Sequence, residues 1–207
     1  MVILKKTTPS LGFGLIELIV SLSIVTIVTG IVVAKHNAFN GAILLRNQAY
    51  EIAFVIREAQ QLAVSGQTTA LTTTQKQRYG VAFSTAPNNS SNSVVNRQTM
   101  VLYKDKNTNG LYDGTGSSGD ELIKTYRLDS RFEIVGLVDP GSSNSRGSMR
   151  VLFERPFFDA KFFRDNGTAV NTGPITITVR PVAPTSQVVP ERLITVSSAG
   201  QVEVPSN

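Results

Sequence analysis

One carboxylate stands at the head of twenty residues otherwise suited to a hydrocarbon core. That conflict constrains the chain more than any other feature. The run from Leu15 to Ala34 reads LIELIVSLSIVTIVTGIVVA, with Glu17 as its single charged residue. About 20 apolar residues in a helix cross a bilayer core of about 30 Å. An ionised carboxylate there costs on the order of 2.5 kcal/mol or more, so Glu17 demands a cationic partner at the membrane and reads as functional. A secretory signal has a shorter apolar region followed by a small-residue cleavage site, and neither is present. A plain single-pass anchor accounts for the apolar run but not for Glu17. Lys5 and Lys6 precede the span and the bulk of the chain follows it, which places the N-terminus in the cytoplasm by the positive-inside rule.

The residues before the span are as particular as the span itself. Lys5 and Lys6, a polar spacer, Gly12-Phe13, and Glu17 four residues after the Phe, leading into an apolar helix, resemble the class III signal of type IV pilins and type II secretion pseudopilins. The resemblance covers about 30 residues. It implies that a membrane prepilin peptidase cuts between Gly12 and Phe13 and methylates Phe13. It implies that Glu17 pairs with the N-terminal amine of a neighbouring subunit during assembly, which supplies the missing cation. At Gly14 the family usually has Thr or Ser. The implied partners are other pilin or pseudopilin subunits, the peptidase and the inner membrane, with the globular part carried into an extracellular or periplasmic filament.

The helix is expected to continue beyond Ala34. From Ala42 to Ala63, Leu45, Ala49, Ile52, Ala53, Ile56, Ala59 and Ala63 fall on one face, while Arg46, Glu51, Arg57, Glu58 and Gln61 occupy the others. Ser65-Gly66 marks a C-terminal stop. A spine from about Phe13 to Val64 would be roughly 75–80 Å long at 1.5 Å per residue. Four segments follow: residues 1–12 a leader, 13–34 a transmembrane and assembly helix, 35–66 the amphipathic second half of the spine, and 67–207 a β-rich globular domain. The predicted strands are Tyr79–Phe83, Thr99–Lys104, Leu122–Leu128, Phe132–Leu137, Arg150–Phe153, Ile175–Arg180, Leu193–Val196 and Gln201–Val204. Ala199-Gly200 is the turn of a closing hairpin. The fold class is α+β and pilin-like: a long N-terminal helix packed on a predominantly antiparallel sheet. One helix followed only by strands resembles the GspH/FimT-like branch of pilins, as do Phe153-Glu-Arg-Pro156 and the closing hairpin.

A second motif is Asp105-Lys-Asn107-Thr-Asn109-Gly110-Leu111-Tyr-Asp113. Calcium takes six to eight oxygens. Side chains at 105, 107 and 109, a turn at Gly110, the carbonyl of Leu111, and Asp113 match the first half of an EF-hand-type loop. The bidentate Glu expected next is absent, for Gly116 stands there, so Asp120 or Glu121 would have to replace it by folding back. The competing reading is a plain Asn-Gly turn between two strands. A bound calcium ion would be structural, tying down a long loop in a domain that has no Cys and so no disulfides.

Other chemistry finds little footing. His36 is the only histidine and there is no Cys, so the usual nucleophile–base pairs are missing and an enzyme is not expected. The net charge is +5, falling to +3 with a leader that carries Lys5 and Lys6. Arg146, Arg150, Arg155, Lys161, Arg164, Arg180 and Arg192 are spread among strands rather than clustered, and the last nine residues contain no Arg, so a nucleic-acid partner is not expected. Phe157, Phe158, Phe162 and Phe163 read as core and sheet-edge packing. The alternatives to a pilus subunit are a pseudopilin of a type II secretion system and a membrane-tethered module for calcium-dependent adhesion or DNA binding.

Overall fold

The computed structural model describes residues 12, 14–65, 78–87, 94–114, 120–141, 144–154, 157–170, 173–182 and 191–205, with backbone alone at 34–40. Phe13, Gly66 and nearly all of the expected leader lie outside the described residues. The chain divides into two compact units, Met1–Ala42 and Ile43–Asn207. One helix, α1 (Leu15–Ser65), contributes to both.

In the first unit, α1 begins after Gly14, whose carbonyl accepts the backbone N–H groups of Glu17 (3.1 Å) and Leu18 (3.2 Å). Gly14 therefore caps the helix. Gly is among the residues accepted at an N-cap, as Ser and Thr are, and Glu17 then sits in the first turn where a carboxylate opposes the helix dipole. The segment Leu15–Val33 is long and apolar enough to cross a membrane, and each of its side chains is exposed. Three of its four hydroxyls are returned to the helix: Ser21, Ser23 and Thr26 donate to the carbonyls of Glu17, Ile19 and Leu22 at 2.7–2.8 Å. In lipid such internal satisfaction removes the cost of these polar groups.

In the second unit the helix becomes a core element. Leu45, Ala49, Ile52, Ala53, Ile56, Ala59 and Ala63 are all buried, as their spacing predicts, and Val55 joins them. They face strands β1 (Arg78–Ser84), β2 (Thr99–Asp105), β3 (Glu121–Arg127), β4 (Phe132–Val138), β5 (Ser148–Glu154), β6 (Ala160–Arg164), β7 (Ala169–Val170), β8 (Ile175–Pro181), β9 (Arg192–Val196) and β10 (Val202–Glu203). These form two sheets rather than one. The first has the order β3-β2-β1-β5-β6-β7 and the second β10-β9-β8-β4. Every pairing within them is antiparallel. The class is therefore α+β with an N-terminal apolar helix and antiparallel sheets.

The larger sheet is covered on both faces. Val81, Met100, Leu102, Val151, Phe153 and Phe162 pack into the core that α1 shares. Ala82, Val101, Tyr103 and Leu152 point the other way and form a second apolar cluster with Val95, Tyr112 and Phe163. Phe162 and Phe163 are thus neighbours on a strand, one on each face. The sequence reading placed no strand there. Phe157 and Phe158, expected to pack, are exposed. The closing hairpin forms as expected: Gly200 has φ 77° and donates to the carbonyl of Ser197 at 2.9 Å. A Cβ at Gly200 would stand 2.1 Å from the carbonyl oxygen of Phe158, so the turn accepts only glycine.

Two buried carboxylates tie strands together where no disulfide can. Glu133 on β4 accepts Arg97 at 3.0 Å and Arg180 of β8 at 3.3 Å. Asp139 accepts Arg164 of β6 at 2.8 Å and Arg146 at 3.0 Å. The Arg164 and Arg146 guanidiniums hold the Asp139 carboxyl below its ordinary range.

Candidate functional site

The loop between β2 and β3 is where the chain concentrates oxygen atoms. The pairing register sets its root. Lys104 lies opposite Glu121, so Asp105 at the end of β2 and Asp120 just before β3 are brought to the same place. Both are 2% exposed. The tight Asn-Gly turn is thereby excluded, since the connection runs through the whole stretch from 106 to 120.

The two acids gather the loop's amide groups. Asp105 accepts the backbone N–H of Gly110 on Oδ2 at 3.1 Å. Asp120 accepts Lys106 N–H on Oδ1 at 3.2 Å and Asp113 N–H on Oδ2 at 3.1 Å. The chain can make this circuit because Thr108 and Gly110 adopt φ of 61° and 76°. Gly110 is also required by space: a Cβ there would meet the Phe163 ring at 2.5 Å.

Asn107 and Asn109 stand on the exposed side, and each supports a local turn. Asn107 Oδ1 accepts Asn109 N–H at 3.2 Å, and Asn109 Oδ1 accepts Leu111 N–H at 2.7 Å. Their amide nitrogens both donate to Asp113 Oδ2, at 2.8 and 2.6 Å. The loop then closes over the outer face of the larger sheet. Tyr112 packs on Tyr103 with ring centroids 5.2 Å apart, and Leu111 lies against Gly167.

Arg78 on β1 is opposite both Asp105 and Glu154. Its guanidinium goes to Glu154 at 3.1 Å and to the carbonyl of Thr108 at 2.9 Å, and reaches Asp105 only at 3.8 Å. Asp105 Oδ1 is buried without a hydrogen-bond partner. Burial raises the Asp105 carboxyl above its ordinary range against the opposing pull of the Gly110 and Thr108 amides and Arg78. Burial also raises Asp120, with Asp105 and Asp113 adding repulsion.

Of the residues expected as calcium ligands, the structure therefore brings Asp105, Asn107, Asn109, Asp113 and Asp120 into one hydrogen-bonded loop, with Leu111 at its turn. Glu121 is not brought in; its side chain is half exposed and pairs with Lys106 at 3.5 Å. Among the described residues, no three acidic or histidine side chains converge in the manner of a metal centre. Sequence reasoning missed Arg78, Tyr103 and Tyr112. Arg78 becomes visible only once the register of β1 against β2 and β5 is known.

The N-terminal residues are placed more simply. Gly12 and Glu17 are exposed, while Phe13, at the expected cleavage point, lies outside the described residues. His36 lies where only backbone is described. Of the scattered basic residues, Arg146 and Arg164 are engaged by Asp139, Arg180 by Glu133 and Lys161 by Glu154. Arg155 lies outside the described residues. Comparison with known proteins found no matching family model, no matching characterised protein and no matching solved structure.

Proposed function

We propose that this chain is a pilin-like structural subunit, which waits in the inner membrane and is assembled into a filament of the type IV pilus or secretion pseudopilus kind. The observation that carries the reading is the single carboxylate of Glu17 in the first turn of a wholly exposed, membrane-length apolar helix, whose continuation is the core helix of a β-rich domain.

The mechanism is self-association. Moving apolar helix surface from lipid to a packed filament gives no hydrophobic gain, so close packing and polar pairing must supply the specificity. In this reading the peptidase cuts after Gly12, and the new amine at Phe13 of one subunit meets Glu17 of another. Pairing two groups in the membrane offsets the several kcal/mol that either would cost alone. The exposed side chains from Leu15 to Val33 then exchange lipid contacts for one another.

Intact-mass measurement and N-terminal sequencing of the protein from its native membrane test this directly. A chain beginning at methylated Phe13 is expected. A chain still beginning at Met1 in cells with an active prepilin peptidase would overturn the reading and leave a membrane-anchored β-domain.

A further inference from the structure

We propose that the loop from Asp105 to Asp113, closed by Asp120, is a binding site for one calcium ion, which locks the loop over the outer face of the larger sheet. The inference is independent of filament assembly and holds for the chain in any surroundings with available calcium.

Three features point to a cation rather than to a self-sufficient turn. First, the strand register forces Asp105 and Asp120 together in a buried place, and the guanidinium that reaches Asp105, that of Arg78 at 3.8 Å, is shared with Glu154 and the Thr108 carbonyl at shorter range. Buried charges ordinarily find a counter-charge. Second, Asp105 Oδ1 is enclosed without a donor, although buried polar atoms nearly always have a partner. Third, the surrounding groups are oxygens of the hard, neutral or anionic kind that calcium takes, with no sulfur or imidazole among the described residues of the loop.

The oxygen supply is sufficient. Asp105 and Asp113 offer carboxylate oxygens, and Asp120 offers the lone pairs not used by the Lys106 and Asp113 amides. The amide oxygens of Asn107 and Asn109 each accept one N–H and retain a second lone pair. The carbonyl oxygen of Leu111 is a further ligand. Binding requires Asp113 Oδ2 to exchange the two asparagine amide donors for the ion, a side-chain rotation on the exposed side of the loop. Six oxygen-bearing groups from the chain favour calcium, which takes six to eight oxygens, over magnesium, which keeps several of its waters.

The ion would act through packing. Gly110 under Phe163, Leu111 on Gly167 and Tyr112 on Tyr103 are the contacts by which the loop covers the sheet. Holding the acids together holds those contacts in place.

Terbium titration of the full chain in non-ionic detergent provides the test, with Tyr103 and Tyr112 as the sensitising rings. Saturable emission at one ion per chain, displaced by calcium and not by equal magnesium, is expected. At a hundredfold excess of calcium over its Kd the domain's melting temperature should rise by roughly 5–10 °C, and trypsin cleavage at Lys106 should slow. Asp105→Asn should abolish the emission. Because that buried position bears on folding, Asp113→Ala on the exposed side supplies an independent check and should weaken binding at least tenfold, while Asp129→Asn leaves it unchanged. A folded chain with no sensitised emission and no calcium-dependent melting shift would overturn the proposal. So would emission unaffected by both loop variants.

Discussion

Asp139 has no exposed side-chain surface, and two guanidiniums lie on it. Its carboxyl titrates below the usual range chiefly because Arg164, and then Arg146, favour the charged form. A depressed carboxylate contributes stability that is complete above its unfolded pKa of about 3.9 and is lost as pH falls through the folded value. Asp139→Asn is therefore expected to cost about 1–3 kcal/mol at pH 7, with the gap from wild type closing below about pH 4. Urea unfolding at pH 7, 4 and 3 checks the sign. Gly110→Ala is expected to cost a comparable amount, since a left-handed φ alone costs about 1–2 kcal/mol with a Cβ, and that Cβ would strike Phe163. A lower denaturant midpoint at unchanged slope is the measurement. Glu17→Ala should leave insertion and domain folding unaltered and remove the subunit from filaments, as read by immunoblot of sheared filaments against membranes. Normal incorporation would sink the role assigned to that carboxylate.

At the scale of elements, α1 was the most legible. The seven positions at helical spacing from Leu45 to Ala63 are all buried, with only Val55 added to them, because a helix on a sheet has one stripe to hide. Ile52→Ala or Ile56→Ala is expected to cost about 2–5 kcal/mol. Phe54→Ala, on the exposed side of the same turns, should change domain stability by less than about 0.5 kcal/mol. Thermal melts of the three variants compare the two faces. Strands with clear alternation, such as β8, were equally legible. β6 was not, because its sheet is covered on both faces and Phe162-Phe163 shows no alternation to read. Nor could spacing decide between Asp120 and Glu121. The choice follows from the register of β3 on β2, a pairing across a long loop that no local pattern encodes.

At the scale of the molecule, the sequence shows a membrane-length helix and a β-rich remainder but not the partition into two sheets. Sheet membership depends on which distant strands pair, and β1 joins β5 across the intervening β2, β3 and β4. The acid–arginine ties show the same limit. Glu133 and Asp139 look like ordinary surface acids until Arg180 of β8, Arg164 of β6, and Arg97 and Arg146 in the connecting segments are assembled around them.

Those ties have a consequence for where the protein can mature. A domain cross-linked by carboxylates and guanidiniums, in a chain with no thiol, has no oxidation step between its unfolded and finished states. It requires no disulfide catalyst, and a reducing milieu leaves its cross-ties intact. Refolding rate and yield should be the same with and without dithiothreitol, whichever redox compartment the chain first meets.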